Sequence, residues 1–361
     1  MIRHTDRTPR LRWFRLLVHE VFHRYQTLHF VRDRRLPLCR YPIEDEEAVA
    51  RALVEQRRLG DALIEADAGA ATAKLRRALA LRLGRYEAAA AGQAMRTIED
   101  WEERLEGTAR LVEDRYTILG GLQPSDVINR RIAKRLATLR PEDLQKWRYY
   151  HTGEALLLLL ARLFPDRDWQ HAVDDGATPF QAALDAAADN DGPIAPASPD
   201  PQALEEAREE IAGPLQDSLA LEKRLLDEWA EQGRLHVVLK APSAGAVTYS
   251  SRGVTFHLPD CSRFISAVTW FLDRDAGLEV RERSILLDGA EGRDLYRLEF
   301  YGDLSEDRPV LADEVPPEPG EGPVPFKSTL VIRGDGWRLD HQGAGSVDLG
   351  PDHLRINITA P

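Results

Sequence analysis

Apolar residues recur at helical spacing through the first half of the chain and at alternate positions in its last third. In the first helix they are Leu11, Phe14, Leu17, Val18, Val21 and Phe22. Such spacing places apolar side chains on one helix face. The pattern, with helix-favouring Ala-rich runs, predicts helices over residues 8–32, 44–59, 62–94, 98–119, 149–163 and 203–232. Gly60-Asp61 predicts a break between the second and third helices.

Alternation begins after Gly233 and predicts strands. These strands cover residues 235–239, 254–258, 295–300, 328–333 and 353–358. The stretch 189–201, rich in Pro, Gly and Asp, is typical of a linker or long surface loop. We therefore predict an α+β protein, with a mainly helical domain over 1–195 and a linker and connecting helix over 196–233. An all-β, sandwich-like module over 234–361 follows.

Composition excludes several classes of protein. The chain has 361 residues, 43% hydrophobic and 30% charged, with a net charge of −12. That negative charge argues against nucleic acid as the main partner, although residues 1–40 hold ten Arg and three acids, either a solvated face or a docking patch. No apolar run is long enough to span a membrane, and arginines interrupt the only possible signal segment. We expect a cytoplasmic protein of undetermined oligomeric state, with Cys39 and Cys261 reduced and structural.

Residues 19–23 read His-Glu-Val-Phe-His. On a helix, positions i and i+4 share a face, so His19 and His23 can bind one zinc ion. Zinc lowers the pKa of a water molecule towards about 7, and Glu20 can accept its proton. The motif predicts one Zn²⁺ per chain, with Glu20 as general base and acid.

A third protein ligand is needed, and His29 is one candidate. Its spacing from His19 is that of the longer metzincin motif, but Gln26 stands where that motif needs Gly for a sharp turn. A second candidate is Glu106, in the segment Trp101-Glu102-Glu103-Arg104-Leu105-Glu106-Gly107-Thr108-Ala109-Arg110-Leu111-Val112-Glu113. The acid pair Glu102/Glu103 is predicted to be solvated.

The 19–23 motif, the 101–113 segment and the segment Trp147-Arg148-Tyr149-Tyr150-His151-Thr152-Gly153-Glu154 together resemble the gluzincin zinc metallopeptidases, in particular the M1 aminopeptidase-like group. The resemblance covers roughly residues 11–175 and implies that the helical domain over 1–195 is zincin-like. It implies that Glu106 binds zinc and that Glu113 orients a zinc-bound imidazole. It also implies that Tyr150 donates to the developing oxyanion, with Tyr149 or His151 as alternatives. Gly107 and Ala109 are expected to let their helix lie close to the motif helix.

The chain departs from that family in three respects. His23 and Glu106 are 83 positions apart, which requires a helical insertion of about 60 residues. A Gly-x-Met-Glu-Asn motif for a substrate's free amine is missing, and little chain precedes the motif helix. We expect a zinc-dependent hydrolase acting on a peptide or protein substrate. The alternatives are a non-catalytic binding or scaffold protein that retains a remnant site, and a zinc hydrolase of a non-peptide amide.

Overall fold

A computed structural model describes the chain in two compact units. It describes residues 10–30, 41–138, 147–231, 235–242, 248–251, 255–257, 263–273, 277–281, 283–288, 295–302, 310–312, 322–334, 337–350 and 353–359. The first unit holds the described helices up to Ser218, and the second holds the strands from Leu235 onwards. Cys39 and Cys261 lie outside the described residues. Nowhere in the described part does a helix combine the length and apolarity needed to cross a membrane.

The first unit is helical, as its apolar periodicity predicts. Its helices are α1 Arg10–His29, α2 Glu46–Ile64, α3 Ala68–Ala88, α4 Gly92–Glu102, α5 Thr108–Leu119, α6 Ser125–Leu136, α7 Trp147–Leu163, α8 Trp169–Asp174, α9 Pro179–Asp191 and α10 Pro201–Ala230, the last continuing past the unit's end. Side-chain caps start several of them. Asp45 accepts from the Ala48 amide, Asp67 from the Ala70 amide, and Thr178 from the Gln181 amide. The apolar faces enclose a core that includes much of α7.

The predicted break at Gly60-Asp61 is wrong, because α2 continues to Ile64. Gly60 instead lies against α6, where a Cβ on it would stand 3.3 Å from the Cα of Ala133. The predicted helix 62–94 is in fact interrupted twice, before Asp67 and again before Gly92. Glycine therefore serves close packing inside α2, while a capping aspartate marks the start of α3.

Helices α4 and α5 are joined by a five-residue π turn, Glu103–Gly107. The flanking residues Glu102 and Thr108 both keep helical backbone angles, so one helical rod continues through the junction. Such turns insert extra backbone into a helix and are frequent at functional sites. The sequence pattern predicted an ordinary helix here.

The stretch predicted as a linker or surface loop contains no helix or strand between residues 192 and 200. It lies along α3. The Ala197 amide donates to the Ala80 carbonyl at 2.9 Å, and Arg77 donates to the Ser198 carbonyl at 2.8 Å. A Cβ at Gly84 would stand 2.1 Å from the Ala197 carbonyl oxygen, so glycine is what permits this approach.

Apart from the end of α10, the described part of the second unit consists of strands in one hydrogen-bonded sheet. They are β1 Leu235–Pro242, β2 Thr248–Ser251, β3 Thr255–His257, β4 Arg263–Asp273, β5 Leu278–Val280, β6 Arg283–Asp288, β7 Leu295–Gly302, β8 Val310–Ala312, β9 Val324–Phe326, β10 Thr329–Gly334, β11 Trp337–Gln342, β12 Gly345–Leu349 and β13 His353–Ile358. The order is β8-β10-β11-β5-β4-β6-β7-β1-β13-β12-β9, with β2 and β3 also paired to β4. Most described pairs are antiparallel, but β1 and β13 run parallel. With the helical unit, this sheet confirms the predicted α+β class.

Alternate strand residues point into the core, as period-two sequence requires. In β11 the buried residues are Trp337, Leu339 and His341, and in β13 they are Leu354, Ile356 and Ile358.

A buried ion network lies among α2, α3, the α4–π turn segment and α7. It contains three arginines and three glutamates: Arg82, Arg85, Arg148, Glu55, Glu99 and Glu103. Arg85 is 1% exposed and binds both Glu55 and Glu99. Glu103 is 1% exposed and accepts from Arg82 at 2.8 Å, so the prediction of a solvated Glu103 is wrong.

Candidate metal centre

Two histidines on α1 and one glutamate in the π turn meet at a single point. The Nε2 atoms of His19 and His23 lie 3.1 Å apart. The Oε2 atom of Glu106 lies 3.2 Å from the first and 3.3 Å from the second. In the described part of the chain, no other set of His, Cys, Asp and Glu side chains forms a comparable cluster. The structure thus brings together the three residues that the sequence indicated as ligands.

The spacing of these atoms fits a small divalent cation. A tetrahedral zinc ion with bonds of 2.0–2.1 Å separates its ligand atoms by about 3.3 Å. The three measured separations are 3.1, 3.2 and 3.3 Å. His19 and Glu106 are buried, whereas the His23 side chain is 25% exposed. The three atoms could therefore bind one cation and leave its fourth position for water or substrate, as in catalytic zinc sites.

Glu113 lies on the Nδ1 side of the His19 ring, away from the cluster that Nε2 faces. Its Oε2 atom is 3.5 Å from His19 Nδ1. Arg15 donates to Glu113 at 2.7 Å, and Arg110 donates to both of its carboxylate oxygens at 2.8 and 2.7 Å. A carboxylate on the far nitrogen is the usual means of orienting a metal-binding imidazole. The Glu113 carboxylate thus lies near His19 Nδ1, and its orienting role stays a prediction.

Gln26 occupies the corresponding position beside His23. It is 3% exposed, and its Oε1 atom is 2.6 Å from His23 Nδ1. Its Nε2 atom donates to the Leu105 carbonyl at 2.7 Å and to the Thr108 hydroxyl at 2.6 Å. The Nδ1 atoms of the two histidines, which face away from the cluster, thus each lie near a side-chain oxygen, that of Glu113 for His19 and that of Gln26 for His23.

The electrostatic environment favours positive charge at the cluster. Burial lowers the pKa of His19, but the hydrogen bonds and charges of Glu106 and Glu113 outweigh it and raise the pKa to about 9. The pKa of His23 is likewise raised, with burial opposed mainly by Glu106. Burial raises the pKa of Glu113, but His19, Arg110 and Arg15 bring it down to about 2. Either a proton or a metal cation can supply the positive charge that this environment favours.

Two glycines bring Tyr150 to the cluster. A Cβ on Gly107 would stand 2.7 Å from the Cα of Gly153, and a Cβ on Gly153 would stand 2.7 Å from the Glu103 carbonyl oxygen. Helix α7 therefore touches the π turn backbone to backbone. Tyr150, about one turn before Gly153, stacks on His19 with ring centroids 5.7 Å apart. The expectation that Gly107 faces the motif helix is wrong, because it faces α7.

The hydroxyl of Tyr150 stays protonated in this setting. Burial, followed by the charge and hydrogen bond of Glu106, raises its pKa well above the ordinary value, with smaller contributions from Glu102 and Glu20. Glu20 follows His19 on α1, is exposed, and contributes by its charge to the raised pKa of Tyr150. The structure thus places the Tyr150 ring against His19, while the approach of Glu20 to the ligand atoms stays a prediction.

Two of the alternatives for these roles, His29 and Tyr149, lie elsewhere, and His151 stays an untested alternative. His29 is exposed and stacks on Tyr25, with ring centroids 4.3 Å apart. Tyr149 is buried, and its hydroxyl accepts from Arg148 in the ion network. Neither residue belongs to the cluster.

Comparison of this chain with protein-family models, with curated proteins and with solved structures finds no match. The function must therefore be inferred from the geometry of the site itself.

Sequence reasoning missed Gln26 and Gly153. In the comparison with the metzincin motif Gln26 only prevents a turn, although it lies three positions after His23 and hence on the same helix face. A polar residue on the buried side of a motif helix is the available signal. The sequence offers no comparable signal for Gly153, because its close approach to the π turn depends on the packing of two helices that are distant in the chain.

Proposed function

We propose that the helical unit binds one zinc ion through His19, His23 and Glu106 and hydrolyses peptide bonds. The observation that carries this proposal is the convergence of two imidazole nitrogens and one carboxylate oxygen within 3.3 Å of one another. Two His and one Glu form the ligand set of several zinc peptidases, and imidazole ligands disfavour magnesium and calcium. Zinc bound there would make a water molecule acidic and polarise a substrate carbonyl.

The protein's own groups then have distinct roles. Glu20 accepts the proton of the attacking water and delivers it to the departing amine, acting as general base and then as general acid. Tyr150 donates its hydroxyl hydrogen to the carbonyl oxygen as negative charge builds there. Its raised pKa keeps that hydrogen in place at neutral pH. Glu113 keeps the His19 ring oriented through Nδ1.

A Glu20→Gln substitution tests the proposal. The purified protein should contain about one zinc per chain, and the variant should retain zinc while losing peptidase activity by about 10²–10⁴-fold. Glu87→Gln is the matched control, because Glu87 is exposed on α3 and is not part of the cluster. Full activity in Glu20→Gln, or a wild-type protein without zinc affinity, would falsify the peptidase proposal.

A panel of amide substrates separates the remaining functions. Cleavage of non-peptide amides alone would indicate a zinc hydrolase of another class. Zinc binding with no hydrolysis of any amide would indicate a binding or scaffold protein.

A further inference from the structure

The Gln26 side chain links two parts of the candidate metal centre. His23 and Gln26 are three residues apart on α1, so they share a face of that helix. Across from them, Leu105 lies in the π turn that carries Glu106, and Thr108 directly follows it. Gln26 contacts all three positions, His23, Leu105 and Thr108.

The direction of each hydrogen bond follows from donor and acceptor chemistry. The Leu105 carbonyl can only accept, so the Gln26 atom 2.7 Å from it must be the NH₂ group. The Thr108 hydroxyl gives its hydrogen to the Arg104 carbonyl at 2.6 Å, and it therefore accepts from Gln26. The amide is thus held in one orientation, with its oxygen towards His23.

This orientation fixes which nitrogen carries the hydrogen in the neutral imidazole of His23. Because Gln26 Oε1 is an acceptor only, His23 Nδ1 must carry the hydrogen of their 2.6 Å bond. In the neutral ring the other nitrogen, Nε2, then keeps its lone pair. That nitrogen is the one that faces Glu106 and His19.

We infer that Gln26 is a positioning residue that holds His23 in the tautomer and orientation required for metal binding and ties it to the π turn that carries Glu106. The inference rests on the proposed zinc site. Gln26 and Glu113 would orient the two imidazoles by different means, since a neutral amide contacts the more exposed ring and a carboxylate contacts the buried one.

The test measures zinc and cobalt binding by the full chain. Gln26→Leu should weaken zinc affinity by about 10–100-fold, the usual effect of losing such a partner. It should also alter the visible absorption spectrum of bound Co²⁺, because the His23 ring is free to turn. Gln56→Leu is the matched control, since Gln56 is another buried glutamine of the helical unit, 2% exposed on α2. It should leave both measurements unchanged.

The outcomes separate this inference from the proposed function. If Gln26→Leu folds and binds zinc with wild-type affinity and an unchanged cobalt spectrum, the positioning role is wrong and the zinc site stands. If the wild-type chain does not bind zinc, both the positioning role of Gln26 and the proposed zinc-dependent function are wrong. If Gln26→Leu does not fold, Gln26→Asn decides by the same two measurements. Its amide is one methylene shorter and cannot span from His23 to Leu105.

Discussion

The helical unit contains two buried polar clusters whose charges are arranged in opposite ways. In the ion network, three arginines and three glutamates alternate, and each charge has an opposite partner within 2.8 Å. In the candidate metal centre, three lone-pair atoms face one another, with only 3.1–3.3 Å between them. The first cluster is electrostatically complete within the protein, whereas the second needs a proton or a cation.

This difference is a physical criterion for telling a structural cluster from a binding site. Buried charges are tolerated when they are paired and hydrogen-bonded. A cluster that has a raised affinity for a proton or a cation is stabilised by a ligand that supplies positive charge. The following predictions test the comparison.

Breaking the ion network should have the largest effect. Arg85→Met leaves Glu55 and Glu99 without their shared partner, and we expect a loss of about 3–5 kcal/mol in the free energy of unfolding. Urea denaturation gives the value. Arg130→Met is the control, because Arg130 is exposed and pairs with Asp126 one turn earlier, so its loss should stay within about 0.5 kcal/mol. Equal stability of the two variants would contradict the importance of the network.

Zinc should stabilise the protein through the second cluster. With free zinc at 100 times the dissociation constant, the free energy of unfolding should rise by about 2.7 kcal/mol. Thermal unfolding with and without zinc measures this, and a chelator should reverse it. The double variant His19→Ala/His23→Ala should show no zinc-dependent shift. Stabilisation that persists in the double variant would place the zinc elsewhere.

Glu113 should contribute to zinc affinity without being a ligand. Glu113→Gln removes the carboxylate beside His19 Nδ1, and we expect zinc affinity to fall by about 10–100-fold, or about 1.4–2.7 kcal/mol. Competition with a chromophoric chelator measures the affinity of the folded variant. Glu209→Gln, an exposed change on α10, serves as control. Unchanged affinity in Glu113→Gln would show that the His19 ring is oriented by packing alone.

Glu154, a buried acid outside the two clusters, sharpens the comparison, with the smallest expected effect. Glu154 is fully buried, and burial, followed by the charge and hydrogen bond of Asp114, raises its pKa well above the ordinary value. The raised pKa favours the protonated form of Glu154, and the charge of Arg110, whose Nε atom lies 3.9 Å from Glu154 Oε2, only partly opposes this. A raised pKa means that its contribution to stability is complete below about pH 4.3, the unfolded value, and declines as the pH rises.

Glu154→Gln keeps the neutral form at every pH. We expect its stability to lie within about 1 kcal/mol of the wild type at pH 5 and to improve relative to the wild type at pH 8. Urea denaturation at the two pH values measures the change. A variant that loses stability relative to the wild type as the pH rises would show that Glu154 is ionised in the folded protein.

The sequence predicted the parts of this molecule that depend on local pattern. Apolar periodicity located most of the long helices and five of the strands (β1, β3, β7, β10 and β13) but missed the other strands and the short helices α8 and α9. The His19–His23 spacing identified two neighbours on one helix face. The encounter of that face with Glu106 was expected only from resemblance, because nothing local in the chain relates positions 83 apart. The ion network escaped prediction for the same reason, since Arg82 and Glu103 look like solvated helix charges until four segments enclose them.

The π turn has a consequence for how neighbouring carboxylates are used. In a regular α-helix, residues three apart project within about 60° of each other, so Glu103 and Glu106 would share one environment. The wider turn separates them, so that Glu103 contacts Arg82 and Glu106 contacts the imidazoles. One helical rod can thus serve two chemically unlike neighbours within about one turn. Deleting one residue between Glu103 and Glu106 would put the two acids about 160° apart on a regular helix and turn at least one of them away from its present partner.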